Sequence, residues 1–348
     1  MRVAVALSGG VDSSVAAHLL QEQGFQVEGV TMRLHSSATA AFSDDQACER
    51  ARDLCHESGI THHIVDLSEA FASVVIADFA RQYRDAKTPN PCVVCNEALK
   101  FGLLWEWAVG RGFDYLASGH YARTDGTRLL RARDSAKDQT YFMYRIARQR
   151  LAHVLFPLGE LTKQQVRDYA RLRGLSMAEQ AESQDVCFVD SDTRHEIIAR
   201  LEPDAYRAGP IVTVDGEVIA THEGLGRFTV GQRHGLGVGG RTEPLYVVAL
   251  DAPSNSVIVG QRDRLYAHEM HSVDFVGDDV SLGSVFGTWD VEAMVRYRMR
   301  PQPAKLIHDD SGMTVVFDSP VVGVSPGQSV VCYRDDVVVS GGVISCVR

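Results

Sequence analysis

The stretch Ser8-Gly9-Gly10-Val11-Asp12-Ser13-Ser14 comes directly after a short apolar run, residues 2–7. That run has the length and the β-branched content of a buried strand. After it, Ser13 or Ser14 can cap a helix that extends to about Gln23. Glycines let a backbone approach a ligand, and a helix N-terminus presents free N–H groups to it. Strand, glycine pair and helix therefore predict an anion-binding loop near the start of an α/β domain.

Strands and helices continue to alternate as far as about residue 173. The pattern predicts strands at 27–32, 63–67 and 114–118, helices at 44–58, 69–85, 96–110 and 162–173, and a proline-rich loop at 87–95. Alternation of this kind implies right-handed crossovers and a parallel sheet with helices on its faces. The expected fold class of this part is a doubly wound α/β domain.

Short alternating strands replace the helical periodicity after about residue 203. Residues 211–214 and 217–220 flank Asp215-Gly216 and predict a tight hairpin. Further strands are predicted at 245–250, 256–260, 291–298, 313–317, 329–333 and 336–346. The C-terminal part is therefore expected to contain small β-modules or a barrel.

Length and composition limit the class of protein. A chain of 348 residues predicts about two or three domains. The net charge of −10 argues against indiscriminate nucleic-acid binding, so an RNA partner would need a local basic patch. No run of roughly 18 apolar residues and no signal-peptide pattern occurs, which favours a cytoplasmic protein without a membrane partner.

The seven cysteines divide into two groups by their surroundings. Cys92 and Cys95 have C-x-x-C spacing in a proline-fixed loop that leads into a predicted helix, and a helix N-terminus favours a thiolate, so Cys95 is a candidate nucleophile. Cys187 follows polar residues and is a further candidate. Buried packing is expected for the other four, which are Cys48, Cys55, Cys332 and Cys346. One C-x-x-C pair supplies only two local ligands, so no metal site is expected from it.

The opening loop has no lysine after its glycines and so differs from a Walker A motif. It resembles the pyrophosphate loop of the N-type ATP pyrophosphatases, which split ATP into AMP and pyrophosphate. That resemblance implies an adenine nucleotide α-hydrolase-like domain that adenylates an oxygen so that it can leave.

Taken with the cysteines, the chain resembles the bacterial tRNA 2-thiouridylase family over nearly its whole length. The motifs that carry this resemblance are residues 8–14, 88–91 with 95–96, 119–122, 137–141, 183–188, 228–237, 296–298 and 325–328. The family architecture implies a catalytic domain at 1–202, a small mainly β central domain at 203–268 and a C-terminal, tRNA-binding β-barrel at 269–348. The implied reaction adenylates the C2 oxygen of the wobble uridine and replaces it with sulfur.

The resemblance also implies roles for individual residues. Cys187 would receive sulfur as a persulfide from a donor protein, and Cys95 would complete the transfer, leaving a Cys95–Cys187 disulfide. ATP, with Mg²⁺, would be bound by Ala6, Leu7, Ser8, Gly9, Gly10, Val11, Asp12, Ser13, Met32 and Gly119. The tRNA anticodon loop would be contacted by Asn90, Pro91, Cys92, His120, Lys137, Asp138, Gln139, Arg296, Tyr297 and Gln328. Nothing in the sequence demands more than a monomer.

One position departs from the family pattern, which has an aspartate where this chain has Cys92. A thiol cannot replace a carboxylate in acid–base chemistry. Cys92, Cys95 and Cys187 could instead hold a [4Fe–4S] cluster with one open iron. A cluster-dependent thiolase therefore stands beside the persulfide route. The sequence also leaves open an ATP pyrophosphatase ligase that acts on a small molecule and a non-catalytic RNA-binding protein.

Overall fold

The computed structural model describes residues 1–35, 45–175, 177–179, 186–189, 193–238, 243–277, 282–283, 286–310 and 312–348. The chain divides into two compact units. The first unit comprises Met1–Val75, Cys92–Phe188 and Asp335–Val338, and the second comprises Ile76–Pro91, Val189–Arg334 and Val339–Arg348.

A five-stranded parallel sheet lies at the centre of the first unit, in the order β3-β2-β1-β4-β7. Its strands are β1 (Arg2–Ala6), β2 (Gln26–Arg33), β3 (Thr61–Asp66), β4 (Tyr115–Ser118) and β7 (Val154–Leu155). Val3, Ala4 and Val5 are fully buried, as expected for a parallel strand covered on both faces. The predicted parallel sheet with its helices is confirmed.

A short hairpin also belongs to the first unit. It is formed by β5 (Arg123–Thr124) and β6 (Leu129–Leu130). Leu130 pairs with Val337, and the Asp336 carboxylate accepts a hydrogen bond from Arg123 at 2.6 Å. A segment near the C-terminal end of the sequence is therefore part of this unit.

Helices occur in both units of the described chain. They are α1 (Val11–Glu22), α2 (Asp45–Glu57), α3 (Ser68–Ala70), α4 (Ala77–Arg84), α5 (Pro91–Val94), α6 (Leu104–Gly110), α7 (Arg148–Leu151), α8 (Lys163–Leu172) and α9 (Thr193–Leu201), with π-helical segments at Phe71–Ile76 and Cys95–Leu103. The predicted helix 44–58 begins one residue outside the described range. Among the described residues, none of the helices is long and apolar enough to cross a membrane.

Two local predictions are wrong at helix starts. The N-cap of α1 is Gly10, and the hydroxyls of Ser13 and Ser14 donate back to the Gly10 carbonyl from inside the first turn. The predicted loop 87–95 is helical from Pro91 onward, because proline at the first helical position has a suitable φ and no N–H to leave unpaired. Cys92 and Cys95 therefore lie on helical backbone.

The second unit contains two β structures. A four-stranded sheet has the order β10-β11-β8-β9, and six further strands close into a barrel in the order β12-β15-β14-β13-β16-β17, with β17 pairing back to β12. The bounds are β8 (Gly209–Thr213), β9 (Val218–His222), β10 (Tyr246–Asp251), β11 (Ser256–Gly260), β12 (Tyr266–Gly277), β13 (Gly287–Met294), β14 (Gln302–Asp309), β15 (Gly312–Val322), β16 (Ser329–Arg334) and β17 (Val337–Val347). The predicted hairpin, small central β domain and C-terminal barrel are confirmed.

The sequence pattern missed two barrel strands. In β12, Tyr266, His268 and Glu269 interrupt the apolar alternation, and only some positions are buried. In β14 the second residue is Pro303, and a proline argues against a strand because it removes a ladder donor.

Candidate active site

The loops that follow β1 and β4 meet at the carboxyl edge of the parallel sheet. β1 and β4 are hydrogen-bonded neighbours, so Ala6 and Ser118 end side by side. A Cβ added to Gly119 would lie 2.7 Å from the backbone nitrogen of Ser13. Glycine is needed there because the loop after β4 packs directly on the first turn of α1. Met32 lies near the same edge in β2, the other neighbour of β1.

Asp12 is the charged residue of the loop at residues 8–14, the nucleotide loop, and two groups donate three hydrogen bonds to it. The Lys163 ammonium donates to both carboxylate oxygens at 2.7 Å, and the Tyr121 hydroxyl donates to Oδ1 at 2.8 Å. Lys163 is only 8% exposed. A buried lysine paired with the loop supplies the cation that the glycine motif itself lacks.

The sequence interpretation missed Lys163 and Tyr121. Lys163 is the first residue of α8, next to the capping-box residue Thr162, and looks like an ordinary helix start. Its partner Asp12 is 151 residues earlier in the chain, so no local spacing signals the pair. Tyr121 stands inside the motif 119–122, which was the one available signal.

Serine hydroxyls shape the nucleotide loop from within. The Ser8 backbone N–H donates to Ser13 Oγ at 3.2 Å, and the hydroxyls of Ser13 and Ser14 donate to the Gly10 carbonyl at 3.1 and 2.9 Å. On the outer side, Arg50 Nε donates to the Gly9 carbonyl at 3.1 Å. The loop is therefore held in one conformation by its own side chains and by a cation on α2.

The Cys92 and Cys95 thiols share their surroundings with Lys100 and His120. Burial raises the pKa of both thiols, and the Lys100 ammonium acts against that rise. Lys100 Nζ lies 3.4 Å from His120 Nε2, and His120 Nδ1 lies 2.9 Å from Ser118 Oγ. Burial, with Lys100 adding to it, holds the pKa of His120 well below its ordinary value, so His120 is neutral at pH 7.

The burial of Cys95 opposes the effect of the helix N-terminus on its thiol. Cys95 is 7% exposed, and desolvation is the largest influence on its pKa. Lys100 is a charged group that favours the thiolate at this position.

Cys187 differs from Cys95 in being exposed. Its neighbour Phe188 is buried and packs edge-on against Phe71, with ring centroids 5.4 Å apart. The preceding part of its motif, residues 183–185, lies outside the described residues. Cys187 therefore stands at the surface beside an anchored aromatic ring.

The three thiols do not form a cluster site in this structure. Cys92, Cys95 and Cys187 are all described, and among the described residues no three Cys, His, Asp or Glu side chains are grouped as metal ligands. Of the other cysteines, burial raises the pKa of Cys55 to about 11 and that of Cys332 to about 12. Cys48 is buried too, but Cys346 is exposed, contrary to the expectation of packing.

The segment 137–139 is largely bonded to its own unit. The Asp138 carboxylate accepts from the Ala132 N–H at 2.8 Å and from the Thr140 hydroxyl at 2.6 Å, and burial raises its pKa. Gln139 exchanges hydrogen bonds with Tyr121. Asp138 therefore closes this loop, whatever it contacts in RNA.

Three exposed arginines of the second unit lie close together in the sequence. Arg296, Arg298 and Arg300 follow β13 and are exposed, whereas Tyr297 is partly buried. Arg298 has a φ of 65°, which is unusual for a residue other than glycine.

A turn of the barrel holds the loop at 88–90 within the second unit. The Gln328 side-chain amide donates to the carbonyls of Thr88 and Pro89, both at 3.1 Å. The Thr88 N–H donates to the Pro326 carbonyl at 2.8 Å. Gln328 thus fixes the chain directly before Asn90 and Pro91.

Replacing Gly327 by alanine is expected to lower the free energy of unfolding by about 2–3 kcal/mol. Its φ is +90°, and a Cβ would lie 2.8 Å from the Thr88 carbonyl oxygen. Gly216→Ala is the matched control, because Gly216 has a φ of +87° and nothing within 4 Å of the added Cβ. Denaturant unfolding of both variants separates the steric contact with Thr88 from the backbone strain of a positive φ. Equal losses of unfolding free energy in the two variants would contradict the close packing of Gly327 against Thr88.

Comparison with known proteins places this geometry in a family. Three family models match in order, described as tRNA methyl transferase HUP domain at residues 1–191, tRNA methyl transferase PRC-barrel domain at 196–261 and aminomethyltransferase beta-barrel domain at 262–344. The chain is 43% identical to the tRNA-specific 2-thiouridylase MnmA of Pelobacter propionicus, covering 99% of this chain and 98% of that protein. It is 42% identical to MnmA 1 of Syntrophus aciditrophicus, with 99% and 92% coverage.

This chain belongs to the tRNA-specific 2-thiouridylase family.

Membership in the 2-thiouridylase family confirms the resemblance drawn from the sequence motifs. It also holds over the full length, since the relative from Halothermothrix orenii is 40% identical over 99% of this chain and 98% of its own. All three parts of the chain, the parallel-sheet part, the small β part and the barrel, are thus common to the 2-thiouridylases.

Proposed function

We propose that this chain is a tRNA-uridine 2-sulfurtransferase that consumes ATP and produces AMP and pyrophosphate. One chain of contacts within the first unit supports this function best. Gly119 packs on the first turn of α1, the next residue, His120, contacts Lys100, and Lys100 acts on the Cys92 and Cys95 thiols. The loop after β4 therefore links the nucleotide loop to the candidate nucleophile.

ATP binds with its phosphates along Ala6 to Ser13 and its adenosine near Met32 and Gly119, with Mg²⁺ beside the phosphates. Lys163 offers a buried positive charge next to that loop, and a preorganised cation stabilises the charge that develops as pyrophosphate leaves. The edge formed by β1 and β4 is where nucleotides bind in open α/β sheets.

The chemistry makes an oxygen into a leaving group. The C2 oxygen of uridine attacks the α-phosphate, which releases pyrophosphate and leaves an AMP ester at C2. The terminal sulfur of a Cys187 persulfide attacks C2, and AMP departs with the bonding electrons. The Cys95 thiolate then attacks the Cys187 sulfur, which frees 2-thiouridine and leaves a Cys95–Cys187 disulfide. Two external thiols reduce this disulfide with two electrons and form a disulfide between themselves, and a persulfide donor protein reloads Cys187.

The difference in exposure of the two cysteines supports these roles. A protein donor must reach the thiol that it loads, and Cys187 is exposed. The final transfer excludes water better at a buried position, and Cys95 is buried. Cys92 is partly buried beside it and faces the target base together with Asn90 and Pro91.

The tRNA anticodon loop is the part of the RNA that the enzyme binds. The contacting residues proposed are His120, Lys137, Asp138, Gln139, Arg296, Tyr297 and Gln328. The uridine of a single-stranded loop can be turned into a pocket at small cost. Arg296 suits phosphate contact because it is exposed. The proposed enzyme is a cytoplasmic monomer with domains at 1–202, 203–268 and 269–348.

A reconstituted reaction tests the function. The protein, ATP, a persulfide donor and undermodified tRNA are expected to yield AMP and 2-thiouridine, measured by chromatography of nucleosides. Tight tRNA binding without AMP formation would favour a binding module, and AMP formation that depends on a small amine would favour a ligase. Formation of methylated instead of thiolated uridine would favour the group transfer that the family models' descriptions name.

The sulfur route needs a separate experiment. Protein purified without oxygen is expected to thiolate tRNA without bound iron, because the three cysteines are not grouped as ligands. Cys92→Asp is expected to keep activity, since Cys92 has no part in the persulfide steps. The persulfide route would be overturned in favour of a cluster by two results together. The unaltered protein would contain stoichiometric iron and need it for activity, and Cys92→Asp would be inactive.

A further inference from the structure

Tyr121 contacts the nucleotide loop with its side chain and the segment 137–139 with its main chain. Its hydroxyl donates to Asp12 Oδ1 at 2.8 Å. Its backbone N–H donates to Gln139 Oε1 at 2.8 Å, and its carbonyl accepts from the Gln139 N–H at 2.9 Å. One residue thus bridges the proposed ATP loop and a proposed tRNA contact.

The packing around Tyr121 makes this bridge stiff. Tyr121 is 3% exposed and belongs to the main core cluster, with Ala132, Leu158 and Val166. Close-packed side chains cannot shift independently of their neighbours. Because the Ala132 N–H also donates to Asp138, the core around Tyr121 holds both Asp138 and Gln139.

The bridge ends on the Asp12 carboxylate, which is also paired with Lys163. Asp12 shares its charge between the Lys163 ammonium and the Tyr121 hydroxyl. Phosphates bound in the loop attract Lys163, and the hydrogen bond from Tyr121 to a less neutralised carboxylate then strengthens. Binding of ATP therefore fixes Tyr121, and with it Gln139, more firmly.

We propose that Tyr121 couples the two substrates, so that ATP tightens tRNA binding and tRNA tightens ATP binding by the same factor. Reciprocity of this kind is a thermodynamic requirement of any such coupling. The inference rests on the proposed function and adds to it the residue that links the two sites. Tyr121 is a positioning residue, because it acts through Asp12 and Gln139.

The test measures tRNA affinity with and without α,β-methylene-ATP, an analogue that cannot be cleaved between its α and β phosphates. For the unaltered protein we expect the analogue to tighten binding of undermodified tRNA by roughly fivefold to tenfold. In Tyr121→Phe, which lacks only the hydroxyl, this ratio is expected to fall below about twofold. The analogue's own affinity, measured with and without tRNA, must change by the same factor.

Tyr115→Phe is the matched control. Tyr115 lies on β4, and its ring packs against Phe25 and His153, so this variant loses a hydroxyl of the same kind away from Asp12. It is expected to keep the full ratio. If Tyr121→Phe does not fold, Gln139→Leu removes the other end of the bridge and is expected to lower the ratio in the same way.

Two results would overturn the coupling: a ratio near one in the unaltered protein, or an unchanged ratio in a folded Tyr121→Phe. Failure of the proposed function gives a different result. In that case tRNA or the analogue does not bind at all, whereas failure of the coupling alone leaves both affinities measurable.

Discussion

Replacement of Cys187 by serine is expected to abolish tRNA thiolation, lowering its rate by at least about a thousandfold. A serine hydroxyl cannot form a persulfide, and the buried Cys95 is a poor substitute for an exposed acceptor. Adenylation does not need Cys187, so pyrophosphate release is expected to persist, whereas AMP stays on the uridine as its ester.

The measurement is 2-thiouridine formed per enzyme, together with pyrophosphate released in the same reaction. Cys346→Ser is the matched control, because Cys346 is also an exposed thiol but lies on β17 in the barrel. It is expected to retain full activity. Thiolation by Cys187→Ser above about a tenth of the normal rate would exclude Cys187 as the sulfur carrier and direct attention to Cys92 or to free sulfide.

Replacement of Lys163 by methionine is expected to slow ATP cleavage by roughly a hundredfold. Methionine keeps most of the volume of the stem but removes the charge held 2.7 Å from both Asp12 oxygens. Asp12 then adds an uncompensated negative charge to a loop that must accept phosphates. A loss of stability accompanies this, below the roughly 3–5 kcal/mol of fully buried pairs, because the Asp12 side chain is 32% exposed.

Lys305→Met is the control for this second variant. Lys305 pairs with Asp290 at the same distance of 2.7 Å, but the lysine side chain is 55% exposed, and exposed pairs contribute about 0–1 kcal/mol. It is expected to change neither ATP cleavage nor the unfolding midpoint appreciably. The two variants are compared by pyrophosphate release and by thermal unfolding. Pyrophosphate release by a folded Lys163→Met at the normal rate would contradict the role of this lysine.

The sequence predicted the structure correctly for elements that are determined by residues adjacent in the chain. The apolar run of β1, the glycines after it and the helical spacing of α1 depend on adjacent residues, and all were predicted. The prediction of a loop at 87–95 was wrong for a local reason too, because Pro91 indicates a loop as readily as the first residue of a helix. Ser14 indicates a cap, but its hydroxyl bonds back to Gly10 from within the helix.

The parts of the site that the sequence did not predict are contacts between distant segments. Lys163 contacts Asp12 because α8 packs beside α1, and no residue near position 163 indicates this ion pair. The contact of His120 with Lys100 and the depth at which the fold buries the Cys95 thiol likewise depend on segments that are far apart in the chain. The sequence shows which residues are charged and which motifs are present. The burial of a side chain and the identity of its partners are known only from the folded structure.

The segment 335–338 has a consequence for the order in which the protein forms on the ribosome. In the first unit, Asp336 accepts hydrogen bonds from Arg123 and from the Arg131 N–H. The strand residue Leu130 pairs with Val337. At roughly 5–20 residues per second, translation reaches this segment about a quarter of a minute to a minute after β1. The hairpin β5–β6 therefore lacks its contacts with Asp336 and Val337 while nearly all of the barrel is being synthesised. A nascent chain released before this segment would carry an incomplete first unit, because its hairpin would lack these partners.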